Sequence, residues 1–369
     1  MNQSLEIFWL ANSARTFQGK PDAKYGVAIS AGGRHVFVKH APPDSNPQGA
    51  TLVAAERHLL KTLASQGLPI PTLVEHAASD PDTLITEYCG VSLASLLGAS
   101  AGQPELTNAE LGRIFSGCLR SAASLATAGV LPLDVAGGNI VVATEAGVMG
   151  GHLLLDRVYF VDHPMTMIKN GNQRRPAWLH PAMPRVAPEL RAGLEEDHNE
   201  MRQAFAAAGL QMGPLEQMTP SEFDLLRRLY AQFNAPQVLQ GALNAGYIDP
   251  DRALQYSIGR EMERFVTQRN LNSRAQNVVA RLLAVDPTER FASLIEAANH
   301  WEQAVSVSAS PTSDAIWPDC RADVLPSKRY SSNVVPTADL GDGTFLPGQV
   351  WASQGTTKAT ELVIYWFAL

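Results

Sequence analysis

Cysteine is scarce in this chain. Cys89, Cys118 and Cys320 are all it has, odd in number, widely spaced and without a C-x-x-C pair, so neither a disulfide framework nor a zinc site is indicated. A reducing, cytoplasmic setting fits that usage best. Excess positive charge is missing too: 29 Lys and Arg against 36 Asp and Glu leave a net charge of -7, which argues against a nucleic-acid surface. No stretch reaches the roughly 18 apolar residues of a membrane span. The start, MNQSLEIFWLANSARTF, lacks the basic region and apolar run of a secretory leader, so a soluble chain is expected. Internal repeats are lacking as well. What is present, 369 residues at 45% hydrophobic and 18% charged, suffices to bury a sizeable core.

The informative residues are acidic and amide groups set among apolar runs. Asp134 and Asn139 stand in LPLDVAGGNIVV, and Asp162 follows in VYFVDHP. Apolar strands flanking each position would carry a carboxylate, an amide and a second carboxylate to the mouth of one cleft, where they can place a hydroxyl and hold magnesium on a triphosphate. The plain alternative, that DVAGGN is a run of turn formers, does not account for Asp162. Upstream, KYGVAIS, the turn AGGR and HVFVK read as a hairpin ending at Lys39. Glu56 lies in LVAAERHLLKTLAS, a helical pattern. Thr107-Asn108 caps a helix through ELGRIFSGCLRSAASLATAG that leads into the Asp134 segment.

In chain order these residues, with Ala187-Pro188-Glu189 in RVAPEL and Arg290 in ARLLAVDPTERF, resemble the signature set of the serine/threonine protein-kinase-like family, here as a divergent, bacterial member, over residues 25 to 303. The resemblance implies an α+β, bilobal protein-kinase-like fold: a strand-rich N-lobe over 1–86, a mainly helical C-lobe over 87–303, and a linker and C-terminal extension over 304–369. It implies the cofactors ATP and Mg²⁺. Lys39 would hold the nucleotide phosphates, oriented by an ion pair with Glu56. Asp134 would place the acceptor hydroxyl, and Asn139 and Asp162 would coordinate metal. TLITEYCG looks like the strand and hinge over which adenine lies, with Thr86 at the gatekeeper position and Glu87, Tyr88 and Cys89 along the hinge, Glu87 and Cys89 among the nucleotide-binding residues. Glu189 of A-P-E would pair with Arg290. For the central buried helix of the large lobe, PSEFDLLRRLYAQF with Asp224 has the usual distance to Arg290, which makes 190–220 an insertion; Asp197 in EEDHNEM is a competing choice.

The chain also departs from that pattern. No G-x-G-x-x-G precedes Lys39; the phosphate-covering turn offers only Gly19 and Gly26, with Ser13, Arg15 and Thr16 where glycines are expected. Leu133 replaces the arginine before the catalytic Asp, so control by loop phosphorylation is not expected, and Thr166 is the sole hydroxyl between Asp162 and Ala187. Ala136 stands where a lysine usually stabilises the transferred phosphoryl. Cys89 reads as a small buried hydrophobe, and His163 and His180 as surface or packing residues. Arg174-Arg175 reads as a solvated pair, or else as recognition of an acidic substrate.

The function expected is an ATP- and Mg²⁺-dependent phosphotransferase acting on serine or threonine of a protein substrate, with no nucleic-acid partner. The alternatives are a pseudokinase serving as a nucleotide-binding or scaffold module and, third, a small-molecule kinase of aminoglycoside or choline type, which A-P-E and D-P-x-x-R argue against. After residue 304 the composition turns rich in Ser, Pro, Gly and Asp and closes on ELVIYWFAL, an apolar, strand-prone segment expected to dock on the domain or on a protein partner.

Overall fold

A computed structural model describes residues 24–29, 35–40, 47–74, 83–97, 105–145, 151–171, 185–209 and 238–317. Its strand-rich part is a three-stranded antiparallel sheet in the order β1-β2-β3, formed by β1 (Lys24–Ile29), β2 (His35–His40) and β3 (Thr83–Glu87). Tyr25 lies opposite Lys39 in the first pairing and Lys39 opposite Leu84 in the second. Alternation along HVFVKH sends Phe37 and Lys39 to one face, which lines the cleft, and Val36 and Val38 to the other. Helix α1 (Pro47–Leu63) starts on a proline, whose fixed φ suits a first helical position. Val53, Leu60 and Leu63 make its buried stripe, and Glu56 sits within that stripe at 2% exposure. A carboxylate there is costly unless paired.

The helical part is entered through β4 (Val91–Ser92), α2 (Leu93–Leu97) and α3 (Asn108–Thr127). A capping box starts α3: the Thr107 hydroxyl accepts from the Glu110 N–H at 3.2 Å, and the Glu110 carboxylate accepts from the Thr107 N–H at 2.8 Å. Short β5 (Val130–Pro132) pairs antiparallel with β8 (Thr166–Ile168), and β6 (Ile140–Thr144) with β7 (Gly151–Phe160). Further on come α4 (Pro188–Ala207), α5 (Val238–Ala245), α6 (Pro250–Gln268), α7 (Ser273–Leu282) and α8 (Leu294–Ala304). None of the described helices is long and apolar enough to cross a membrane.

The helix expected at the centre of the large lobe, with Asp224, lies outside the described residues. Among the described residues α6 holds that place: Leu254, Ile258, Met262 and Phe265 are fully buried, and the helix packs on α3, α7 and α8. Phe115 of α3 stacks on Phe265 at 5.1 Å, and Trp301 of α8 stands edge-on to both at 6.1 and 6.4 Å. The Trp301 indole donates to the Gly112 carbonyl at 2.8 Å. Asp197, the competing choice, is buried in α4 and accepts from the Val238 N–H at 2.7 Å, tying α4 to the start of α5. The first half of the expected insertion, 190–207, is thus a helix running straight out of Ala187-Pro188-Glu189.

The expected linker after residue 304 needs correction over its first stretch. Residues Thr312–Trp317 form β9, which pairs with the edge of β7 to complete a sheet ordered β4-β6-β7-β9. Trp317 is 3% exposed, and Arg113 donates to the Ser308 carbonyl at 2.6 Å. The ladder slips between His152 and Leu154, and the Ser313 hydroxyl accepts the Leu153 N–H at 2.8 Å across that irregularity. Ser313→Ala would leave a buried donor unmet. It should lower unfolding free energy by about 1 to 3 kcal/mol in urea titration; an unchanged midpoint would show that β9 does not dock in solution. ELVIYWFAL lies outside the described residues.

Candidate active site

Lys39 is clamped by two carboxylates. Its Nζ lies 2.6 Å from Glu56 Oε2 and 2.6 Å from Asp162 Oδ1, with 6% of the side chain exposed. Burial works against the ammonium, but the charges of Asp162 and Glu56 outweigh it and the Lys39 pKa is raised. Burial also raises that of Glu56, against the pull of Lys39. The second Glu56 oxygen accepts from the His163 N–H at 3.1 Å, so this carboxylate joins α1 to the segment after β7.

Asp162 follows β7 directly, and register explains its neighbour. Ile140 pairs with Phe160, and the Val161 N–H donates to the Asn139 carbonyl at 2.8 Å, so the antiparallel turn-off points of β6 and β7 bring Asn139 and Asp162 side by side. Asp162 has φ 63°, a left-handed conformation that a non-glycine residue holds at a cost and that concentrates at functional sites.

Asp134 sits in the loop between β5 and β6, pinned on both sides by buried Leu133 and Val135. The Asn139 amide donates to the Asp134 carbonyl at 2.9 Å, and the Asn139 N–H to the Ala136 carbonyl at 2.8 Å, folding DVAGGN into a tight turn. Gly137 is needed for close approach: a Cβ there would lie 2.9 Å from the Oε2 of Glu261, on α6. Burial raises the Asp134 pKa, opposed by Arg185, whose Nε and Nη2 lie 2.9 and 2.8 Å from Asp134 Oδ1.

The back of the cleft is the segment after β3. Thr86 is buried, the Glu87 N–H donates to Thr72 O at 2.8 Å, and the Tyr88 N–H to His35 O at 3.3 Å. The Cys89 thiol, pushed up to about 12 by burial, rests 3.7 Å from the Glu87 carbonyl and is an inert apolar filler. Gly90 has φ 146°, and a Cβ there would fall 1.9 Å from Val142 O, so only glycine lets this segment cross β6. Lys39, Glu56, Thr86, Cys89, Val141 and Asp162 all line one cleft.

The residues expected from sequence therefore converge: Lys39, Glu56 and Asp162 on one wall, Asn139 and Asp134 beside them, Glu87 and Cys89 behind. Glu189 and Arg290 meet as well, at 2.7 Å. Thr166 and His163, in the segment after Asp162, are both packing residues. Thr166 is 3% exposed with its hydroxyl 3.0 Å from His163 Nδ1, so it is no accessible phosphorylation site. His163 belongs to the core: its Nε2 lies 2.7 Å from Phe160 O, and burial lowers its pKa to about 4, keeping it neutral. Arg185 and Glu261 escaped the sequence reading; the one available signal was that Arg185 stands beside A-P-E. Ser13, Arg15, Thr16, Gly19, Arg174, Arg175 and His180 lie outside the described residues.

No family model matches this chain, and no curated protein matches it. Among solved structures it is similar to the autoinhibited serine kinase domain of the giant muscle protein titin, at 13% identity and TM-score 0.40, over 83% of this chain and 81% of that one. It is also similar to titin kinase with its flanking domains, at 13% identity and TM-score 0.41, over 83% of this chain but 47% of that longer one.

Proposed function

We propose that the protein is a divergent, protein-kinase-like phosphotransferase of the cytoplasm that uses ATP and Mg²⁺ and acts on serine or threonine hydroxyls of a protein. The buried Lys39 ammonium, held at 2.6 Å by both Glu56 and Asp162 in the cleft, with the Asn139 carbonyl bonded to the Val161 N–H and the Asn139 amide to the Asp134 carbonyl, carries the proposal. Burying the Lys39 and Glu56 charges costs several kcal/mol per ion before pairing repays it, an arrangement that a purely structural cleft has no need of. The donor set fits magnesium, since Asp162 and Asn139 offer hard oxygens, and Mg²⁺ is commonly held by one or two such ligands plus substrate phosphates. Among the described residues no group of three or more His, Cys, Asp or Glu is placed to hold a metal. Bound there, the ion would neutralise charge on the phosphates.

In this reading Lys39 holds phosphate oxygens and Glu56 fixes its position. Asp134 orients the acceptor hydroxyl, whose oxygen bonds to the γ-phosphorus. The bond to the bridging oxygen breaks, its electron pair leaves with ADP, and the hydroxyl proton passes to Asp134. The Glu189–Arg290 pair beneath A-P-E favours a protein over a small-molecule acceptor. A second reading, a nucleotide-binding scaffold without transfer, draws on Arg185 resting against Asp134. Isothermal titration of ATP tests the site. Mg²⁺ should tighten binding by the parent, whereas Asp162→Asn should respond to the metal at least about tenfold less; an identical metal response would put Asp162 outside the site.

A further inference from the structure

The loop Asp134-Val135-Ala136-Gly137-Gly138-Asn139 contains no cation, although a transferring phosphoryl gathers negative charge that fixed positive groups stabilise. Lys39 sits at the nucleotide end of the cleft. At the acceptor end a guanidinium does: Arg185 reaches Asp134 with Nε at 2.9 Å and Nη2 at 2.8 Å. We infer that Arg185 is the positioning residue for Asp134 and the positive charge that this loop lacks, an inference that rests on the phosphotransferase reading.

The geometry suits the task. Both guanidinium contacts fall on Oδ1, so Arg185 turns the carboxylate without occupying Oδ2. Glu261 stands on α6 against Gly137 of the loop, and its charge attracts Arg185. The backbone of Arg185 is anchored as well, because Val186 and Ala187 are buried and Glu189 is locked to Arg290. Arg185 keeps 32% of its side chain exposed, so its charge stays within reach of an incoming group. Unlike a lysine, a guanidinium cannot lose its charge there and presents a rigid fork. An ordinary surface ion pair would contribute little. This one is shared by the hydroxyl-placing carboxylate, the cation-free loop and the A-P-E segment.

Two measurements on the full chain test the inference. In the unloaded protein, Arg185→Ala and Asp134→Asn should shift the unfolding midpoint non-additively, as contacting residues do; additive shifts would dissolve the pair. In turnover of Mg·ATP with a generic protein acceptor, Arg185→Ala should lower kcat roughly a hundredfold with KM for ATP unchanged, and Arg185→Lys should recover part of it. Unchanged kcat would overturn the inference, and a raised kcat would make Arg185 a latch over Asp134 instead. A parent that neither binds nor turns over Mg·ATP would refute the phosphotransferase reading, and the unfolding cycle alone would then decide whether Arg185 positions Asp134.

Discussion

Asp134→Asn should abolish most phosphoryl transfer while leaving ATP affinity within about twofold of the parent. A positioned general base contributes about 10²- to 10⁴-fold, so kcat should fall by that factor. The reason for the split is spatial. Lys39, Glu56 and Asp162 form one clamp, whereas the Asp134 carboxylate bonds to Arg185 and not to that lysine. Asparagine keeps nearly the same shape, and the Asn139 amide bonds to the Asp134 backbone carbonyl, which the substitution does not touch. The loop should therefore keep its fold while its terminal group can no longer accept the hydroxyl proton. Turnover with Mg·ATP and a protein acceptor, beside nucleotide binding followed by thermal shift, separates the two effects. Equal kcat in the variant would remove Asp134 from the chemistry, and parallel loss of affinity would make it part of the nucleotide site.

The order and spacing of charged and amide residues among apolar runs were what made the cleft legible. Lys39 interrupts HVFVKH and Glu56 interrupts the apolar stripe of α1, each an expensive residue that a strand or helix carries inward only for a partner. Asn139 and Asp162 were legible for a related reason, standing at the ends of strands whose antiparallel register the apolar runs dictate. Other parts hide behind composition. Helix α6 looks solvent-facing in DRALQYSIGREMERF, yet Gln255 is fully buried because its amide group bonds to both the N–H and the carbonyl of Phe291. In EEDHNE a polar run obscures the helix that continues from Glu189. The Ser-rich run before Trp317 looked like a linker, but the hydroxyls of Ser310 and Ser313 satisfy the backbone of β9 and its partner strand instead of water. Which arginine faces Asp134 was beyond any periodicity, since the contact joins residues 51 apart through a loop.

Glu189→Ala should lower unfolding free energy by about 3 to 5 kcal/mol, the usual consequence of leaving a buried charge without its partner. Arg290 has no exposed side-chain surface, and its fork is met by both Glu189 oxygens at 2.7 and 2.9 Å. The same guanidinium donates to the carbonyls of Ala284 and Arg252 at 2.9 and 2.8 Å and lies 5.2 Å from the Tyr256 ring. It thereby joins A-P-E, α6 and the segment after α7. Arginine cannot escape by deprotonating, so removal of Glu189 strands a full charge with carbonyl oxygens alone. The 21% exposure of the Glu189 carboxylate lets water partly replace it and places the expected loss at the lower end of that range. Glu189→Gln, which keeps an acceptor but loses the charge, should cost less. Urea titration gives the free energies, and ATP binding by the folded fraction should survive, because none of Lys39, Glu56 or Asp162 bonds to this pair. A loss below about 1 kcal/mol would mean that the pair behaves as an exposed one. The A-P-E segment would then have to be held to α6 by the burial of Val186, Ala187 and Leu190 alone.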